Sequence, residues 1–260
     1  MFSQYFTLES FEIFLLILVR ISMFVATAPF FNSGNTPNRA KAGFAAILAI
    51  LLYFASGVTL PEYSGTTEYI GMVVLEAIAG ATMGFFTNIC SYIILFFGTI
   101  VDMDIGISMA QVFDPQTRNT VAITGSLYNQ LFLLFFMVSG MHRYVIRAVC
   151  DSYQVIPIGG VIIKPYSLVA ALTAFVTELI IIAFRIVLPV FCCIMVLNCI
   201  LGMMAKASPQ LNMFAVGMQL KLLTGFLVLF ITVFMIPDAM ALVFKEAKTM
   251  LIRAMEAFYL

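Results

Sequence analysis

From Ser167 to Ala205 the chain runs through thirty-nine residues with only two charges, Glu178 and Arg185. A bilayer core is crossed by about 20 apolar residues, and a soluble domain offers no interior deep enough to hide twice that length. A second run, Tyr69 to Val101, has 33 residues and one charge, Glu76. Such segments must tilt, break or project beyond the hydrocarbon. The remaining composition agrees, with 63% hydrophobic and 10% charged residues, mean hydropathy +1.08 and no Trp. The expected fold class is an all-α integral membrane protein, multi-pass, built from long helices and helical hairpins. Positive and negative charges balance at 13 each, without a run of one sign, so nucleic acid is not an expected partner, whereas membrane lipid is.

Taken in order, Thr7 or Ser10 supplies an N-cap and Phe11 to Ala28 a helix that barely spans. A cleavable signal is disfavoured by Glu9, by the lack of Lys or Arg in the first ten residues and by Arg20 inside the apolar run. Arg20 costs about 2.5–3.5 kcal/mol at the centre of a span. Either a carboxylate or carbonyls of a neighbour satisfy it, or it walls a wet cavity. Pro29 ends this helix, and Lys41 to Val58 forms the next. In the long run that follows, Ala77, Gly80, Ala81 and Gly84 give one face the small residues that let helix backbones approach. Glu76 lies on that face, one turn earlier, so its carboxylate points at whatever packs there; a partner subunit would explain both.

The stretch from Gly98 to Gly125 reads as the interruption. It holds Asp102, Asp104, Asp114, Arg118, Gly98, Gly106 and Pro115 among apolar residues. Irregular backbone at membrane depth is tolerated only where it is buried in protein or lines a watery cavity, so the expectation is a loop inside a pathway. Val121 to Ser139 then forms a span. Met141 to Val155 is amphipathic, with Arg143, Arg147 and Asp151 on one face, and Pro157, Gly159 and Gly160 end it. In the second over-long segment Glu178 and Arg185 fall on one side, and Pro189 predicts a kink. A last span containing Lys221 runs to Ile236, Pro237 stops it, and Asp238 to Leu260 alternates charge in an amphipathic helix. Lys and Arg in the loops of a six-span arrangement do not choose an orientation.

The five cysteines include no C-x-x-C pair and the single histidine has no ligand partners at usable spacing, so no metal is expected. Asp102 and Asp104 point apart on a helix, and His142 has no nucleophile in a recognisable setting, so no catalytic residues are expected. No Gly-rich phosphate loop appears, and no cofactor is predicted. Two non-enzymatic classes stay open. One is an ion or small-solute secondary transporter or channel with a midplane site at the broken segment 102–118. The other is a subunit of a larger export pore in which the loop is a gate.

The order Ala28-Pro29, Pro37 with Arg39 and Lys41, Gly98, GISMAQVFDP (Gly106 to Pro115), IPIGG (Ile156 to Gly160) and LPV…LNCILGMMAKASPQLNMFAVG (Leu188 to Gly217) resembles the FliR family of flagellar and virulence-type type III export proteins. The resemblance covers nearly the whole chain. It implies a structural subunit of an export gate in the bacterial cytoplasmic membrane at the flagellar basal body, packing with FliP and FliQ, meeting FlhB and passing exported flagellar proteins. It further implies a FliP-like part, residues 1–165, fused to a FliQ-like part, residues 166–260. By position the family's plug is Gly106 to Asn119, with Gly106, Ile107, Met109, Val112, Phe113, Asp114 and Pro115 as its matching residues. The chain departs from the family at Thr99, Asp102 and Asp104, the last two adding carboxylates. Beyond the plug, Arg20, Glu76, Gly80, Gly84, Glu178, Arg185 and Lys221 are expected as buried polar or packing residues.

Overall fold

A computed structural model of the chain describes residues 8–28, 37–56, 59, 61–108, 122–208, 210 and 212–259. Among them all regular structure is helical: α1 Leu8–Thr27, α2 Asn38–Ser56, α3 Thr66–Thr87, α4 Ile89–Ile105, α5 Ile123–Val138, α6 Met141–Val155, α7 Pro165–Ala207, α8 Met213–Thr232 and α9 Ile236–Tyr259. Five helical segments are long and apolar enough to cross a membrane, or six if α5 and α6 count as one broken span. The expected all-α membrane class is what the chain adopts.

The boundaries carry the physical detail. Helix α1 starts at Leu8, ahead of Ser10, so that serine lies inside the first turn rather than capping it. The run from Tyr69 neither ends at Val101 nor breaks fully. At Asn88 the backbone stays right-handed and its N–H still bonds to the Gly84 and Phe85 carbonyls, so Thr66–Ile105 counts as one 40-residue segment. The sequence expectation of irregular backbone from Gly98 onward is corrected here. Residues 98–105 are helical, because Asp102 finds a backbone donor on a neighbouring helix and needs no loop to satisfy it. Helix α7 continues through Pro189 for 43 residues. Pro237, expected as a stop, instead stands in the first turn of α9, where its missing N–H costs nothing. A single 3-10 turn, Val233–Met235, joins α8 to α9.

Two compact units divide the chain. The first comprises residues 1–90, 137–176 and 245–260. Here α1 lies along α3 and, less extensively, α2. Gly80 and Gly84 make the α1–α3 approach possible: a Cβ at Gly80 would land on the Arg20 carbonyl, and one at Gly84 on the Thr27 hydroxyl. Gly140, at φ 71, takes the left-handed conformation before α6, which then buries Val145, Val149 and Tyr153 while Arg143, Arg147 and Asp151 stay exposed. The two-faced reading of that helix holds, with protein under its apolar face. Ala79, Ile156, Val161 and Phe258 close a core, and Ile162 donates to the Phe258 carbonyl at 3.4 Å.

The second unit comprises residues 91–136 and 177–244. Aromatic rings dominate its packing: Phe97 meets Tyr128 edge-on at 5.0 Å, and Phe132, Phe136 and Phe244 form a triangle. On α8, Gly225 admits the Ile105 side chain so closely that a Cβ would strike it.

Candidate functional site

Within the second unit, α4 and α5 are held together at the two ends of the connection 109–121. The contact starts at glycine. A Cβ on Gly98 would fall onto the Gly125 backbone, so the helices touch main chain to main chain there. One turn further along α4, Asp102 is 3% exposed and receives the Thr124 N–H on both carboxylate oxygens at 3.3 Å. That N–H is one of the orphan donors at the start of α5, and a buried carboxylate opposite a helix N-terminus is favoured by hydrogen bonding and by the helix dipole. Asp102 is therefore a cap supplied from another helix. The single N–H is shared between the two oxygens, so the carboxylate keeps further acceptor sites.

Past Asp102, Gly106 adopts φ 92 and its N–H bonds to the Asp102 carbonyl at 3.1 Å, which ends α4 in a left-handed turn that favours glycine. The Ser108 hydroxyl donates to the same carbonyl at 3.4 Å. Asp104 is half-buried with Oδ2 lacking a hydrogen-bond partner among the described residues, and Lys221 on α8 is the cation acting on it. Of the seven residues expected in the plug, Gly106 and Ile107 stand at this helix end. Met109, Val112, Phe113, Asp114 and Pro115 lie outside the described residues.

A separate buried cluster sits in the first unit. Arg20 and Glu76 are both fully buried, and the guanidinium grips the carboxylate with two donors: Nε to Oε2, and Nη2 to Oε1 at 3.0 Å. The remaining Nη1 donates to the Ile156 carbonyl at 3.1 Å and the Ser152 hydroxyl at 3.4 Å, and the cation lies 4.2 Å from the Tyr153 ring centroid. Glu76 Oε1 also accepts the Gly159 N–H at 3.2 Å. Gly159, at φ 75, has no room for a Cβ beside Pro61 and Met72. Of the two readings for Arg20, pairing is the one found. The expectation that a partner subunit meets Glu76 is corrected: this chain's own Arg20 does. Sequence reading missed Ser152, Tyr153 and the Gly159 amide, although the IPIGG block that carries Gly159 was visible. Glu178, Arg185 and Lys221 do not join this cluster; Arg185 is exposed, and Glu178 and Lys221 are half-buried in the single chain.

Against this geometry, the family model described as bacterial export proteins, family 1, matches residues 11–247. The chain belongs to that family. Its match to family 1 of the bacterial export proteins runs from the first turns of α1 into α9, so it takes in both the charged cluster and the α4–α5 clamp. Relatives carry the name flagellar biosynthetic protein FliR. One, from Bacillus subtilis, is 28% identical over 230 residues, covering 86% of this chain and 87% of its own. Another, from Escherichia coli, is 26% identical over 211 residues, covering 80% and 79%. A third, from Pectobacterium carotovorum, is 26% identical over 234 residues, covering 88% and 87%. The resemblance read from the sequence blocks is thus the one the comparisons return.

Proposed function

We propose that the chain is a structural, non-enzymatic subunit of the flagellar protein export gate, seated in the bacterial cytoplasmic membrane at the flagellar base. FliP and FliQ are its assembly partners in this reading, FlhB a neighbour, and unfolded flagellar proteins the cargo. The observation that carries it is the clamp of α4 on α5. Two helix ends fixed to each other by glycine contact and a buried cap make a rigid mount for the segment that joins them, which a pore closure requires. The segment Gly106 to Asn119 is the plug, its apolar residues Met109, Val112 and Phe113 closing a narrow passage that ions wet poorly. Support for a gate over an ion-coordination site at 102–118 comes from the match to the bacterial export family and from relatives named flagellar biosynthetic protein FliR. In this reading the joint between a FliP-like part, residues 1–165, and a FliQ-like part, residues 166–260, lies near Pro165.

The test is a chain lacking Ile107 to Phe113, expressed with the rest of the export apparatus. Cells carrying it become permeable to small ions, read as collapse of membrane potential on addition of an otherwise excluded salt. Unchanged permeability in a correctly assembled complex would remove the plug from the account.

A further inference from the structure

The last turn of α4 carries two carboxylates, Asp102 and Asp104, before Gly106 ends the helix. Helix electrostatics oppose them there, because the C-terminus is the negative pole of the dipole, and acidic side chains need a positive partner from elsewhere. Asp102 has one in the N-terminus of α5, through the Thr124 N–H. Asp104 has none closed onto it. Its Oδ2 is withdrawn from solvent without a hydrogen-bond partner among the described residues.

Charge on the neighbouring helices is scarce enough to identify the partner. The two aspartates are the only charged residues of α4, α5 has none, and α8 has Lys221 alone. Helices α4 and α8 touch beside this pair, since a Cβ added to Gly225 would strike the Ile105 side chain at 2.6 Å. Asp104 stands one residue before Ile105, and Lys221 one turn before Gly225. Lys221 is half-buried and acts on Asp104 electrostatically, yet makes no ion pair among the described residues. Rotation of its flexible four-carbon stem is the motion available to close the gap.

We propose that Asp104 and Lys221 close into a charge latch in the assembled protein, tying α8 to the end of α4 that leads into the plug. Leu223, Phe226 and Phe230 stand exposed on α8, so the single chain leaves their cover to other subunits or lipid. Once that cover removes water, a lone cation and a lone anion in an apolar surround are driven together. The latch holds the α4 end against α8 as Asp102 holds it against α5, and the point from which the plug departs is fixed on two sides. Its effect on gating rests on the plug reading; the latch itself rests on α4 and α8 alone.

The experiment is a charge exchange in the whole export assembly in vesicles, read as apparent unfolding temperature and as ion leak, beside the chain lacking Ile107 to Phe113. Asp104→Lys and Lys221→Asp set like charges together, and each is expected to lower the unfolding temperature by about 2–4 °C and raise the leak. The two combined restore both. If a reversal fails to assemble, Asp104→Asn and Lys221→Gln decide, the double variant being no worse than either single one. Single variants as stable as the unaltered assembly, or an exchange that recovers nothing, would overturn the latch. Weakening by Asp104→Asn but not by Lys221→Gln would overturn it too, giving Asp104 to a basic group of another subunit. Restored stability with the leak unrepaired, where the deletion does leak, would overturn its link to the plug. A tight membrane after the deletion, with the exchange still rescuing stability, would remove the plug and uphold the latch.

Discussion

Arg20 and Glu76 are a charge pair fully withdrawn from solvent, and each is held by more than the other. Removing one partner from such a pair costs about 3–5 kcal/mol, because the survivor is left charged in a low-dielectric interior. Glu76→Ala is accordingly expected to lower the thermal unfolding temperature of the purified chain and its level in membranes. The double replacement Arg20→Leu with Glu76→Leu should recover much of the loss, which a double-mutant cycle in detergent would read. An additive cycle would show that the pair is not coupled. That Arg20 needs a buried partner was legible in the sequence, since a charge inside an apolar helix admits few solutions. That the partner is Glu76, fifty-six residues away, was not. Small residues around Glu76 showed that something packs there, but the identity of the packing element depends on how α1 and α3 cross, which no local pattern encodes.

At the scale of the element, glycines decide where helices touch. Gly80→Ala puts a methyl group onto the Arg20 carbonyl, and backbone cannot yield as a side-chain tip can, so a destabilisation of about 1–3 kcal/mol is expected. Gly71→Ala on the same helix meets nothing within 4 Å and should be neutral or stabilising by up to about 1 kcal/mol, through helix propensity. Equal effects in a thermal melt would show that α3 does not pack on α1 along this face. For α4 and α5, Gly98→Val forces the two backbones apart, and Asp102→Ala strips the cap from Thr124 at a cost of about 1 kcal/mol. Under the proposed plug, both variants are expected to leak ions with residues 107–119 intact, measured as the deletion is; a tight membrane in both would contradict that proposed role of the clamp. The sequence made the Asp102 region look like a loop because carboxylates, glycine and proline crowd there. Asp102 itself proved compatible with helix because a neighbouring helix end offers its carboxylate a backbone N–H.

For the molecule as a whole, length is the governing fact. Helix α7 has 43 residues and the span Ala215–Phe258 has 44, about 65 Å of helix each against roughly 30 Å of hydrocarbon. Only 28% and 22% of their apolar windows are buried within the chain, and α2 buries 11%. Composition and run length made the all-α membrane class legible, and the FDP and ASPQLN blocks pointed to the export family that residues 11–247 match. The apolar surface left over on such long helices is what an assembly of several membrane chains would cover, and it accounts for charges that fit no simple six-span arrangement. The measurement that bears most directly on this is native mass spectrometry of a tagged copy purified in detergent from cells expressing the whole export apparatus. The account predicts this 28.8 kDa chain inside a larger particle with FliP and FliQ. A stable monomer or homo-oligomer, free of other chains and able to move ions in liposomes, would contradict it.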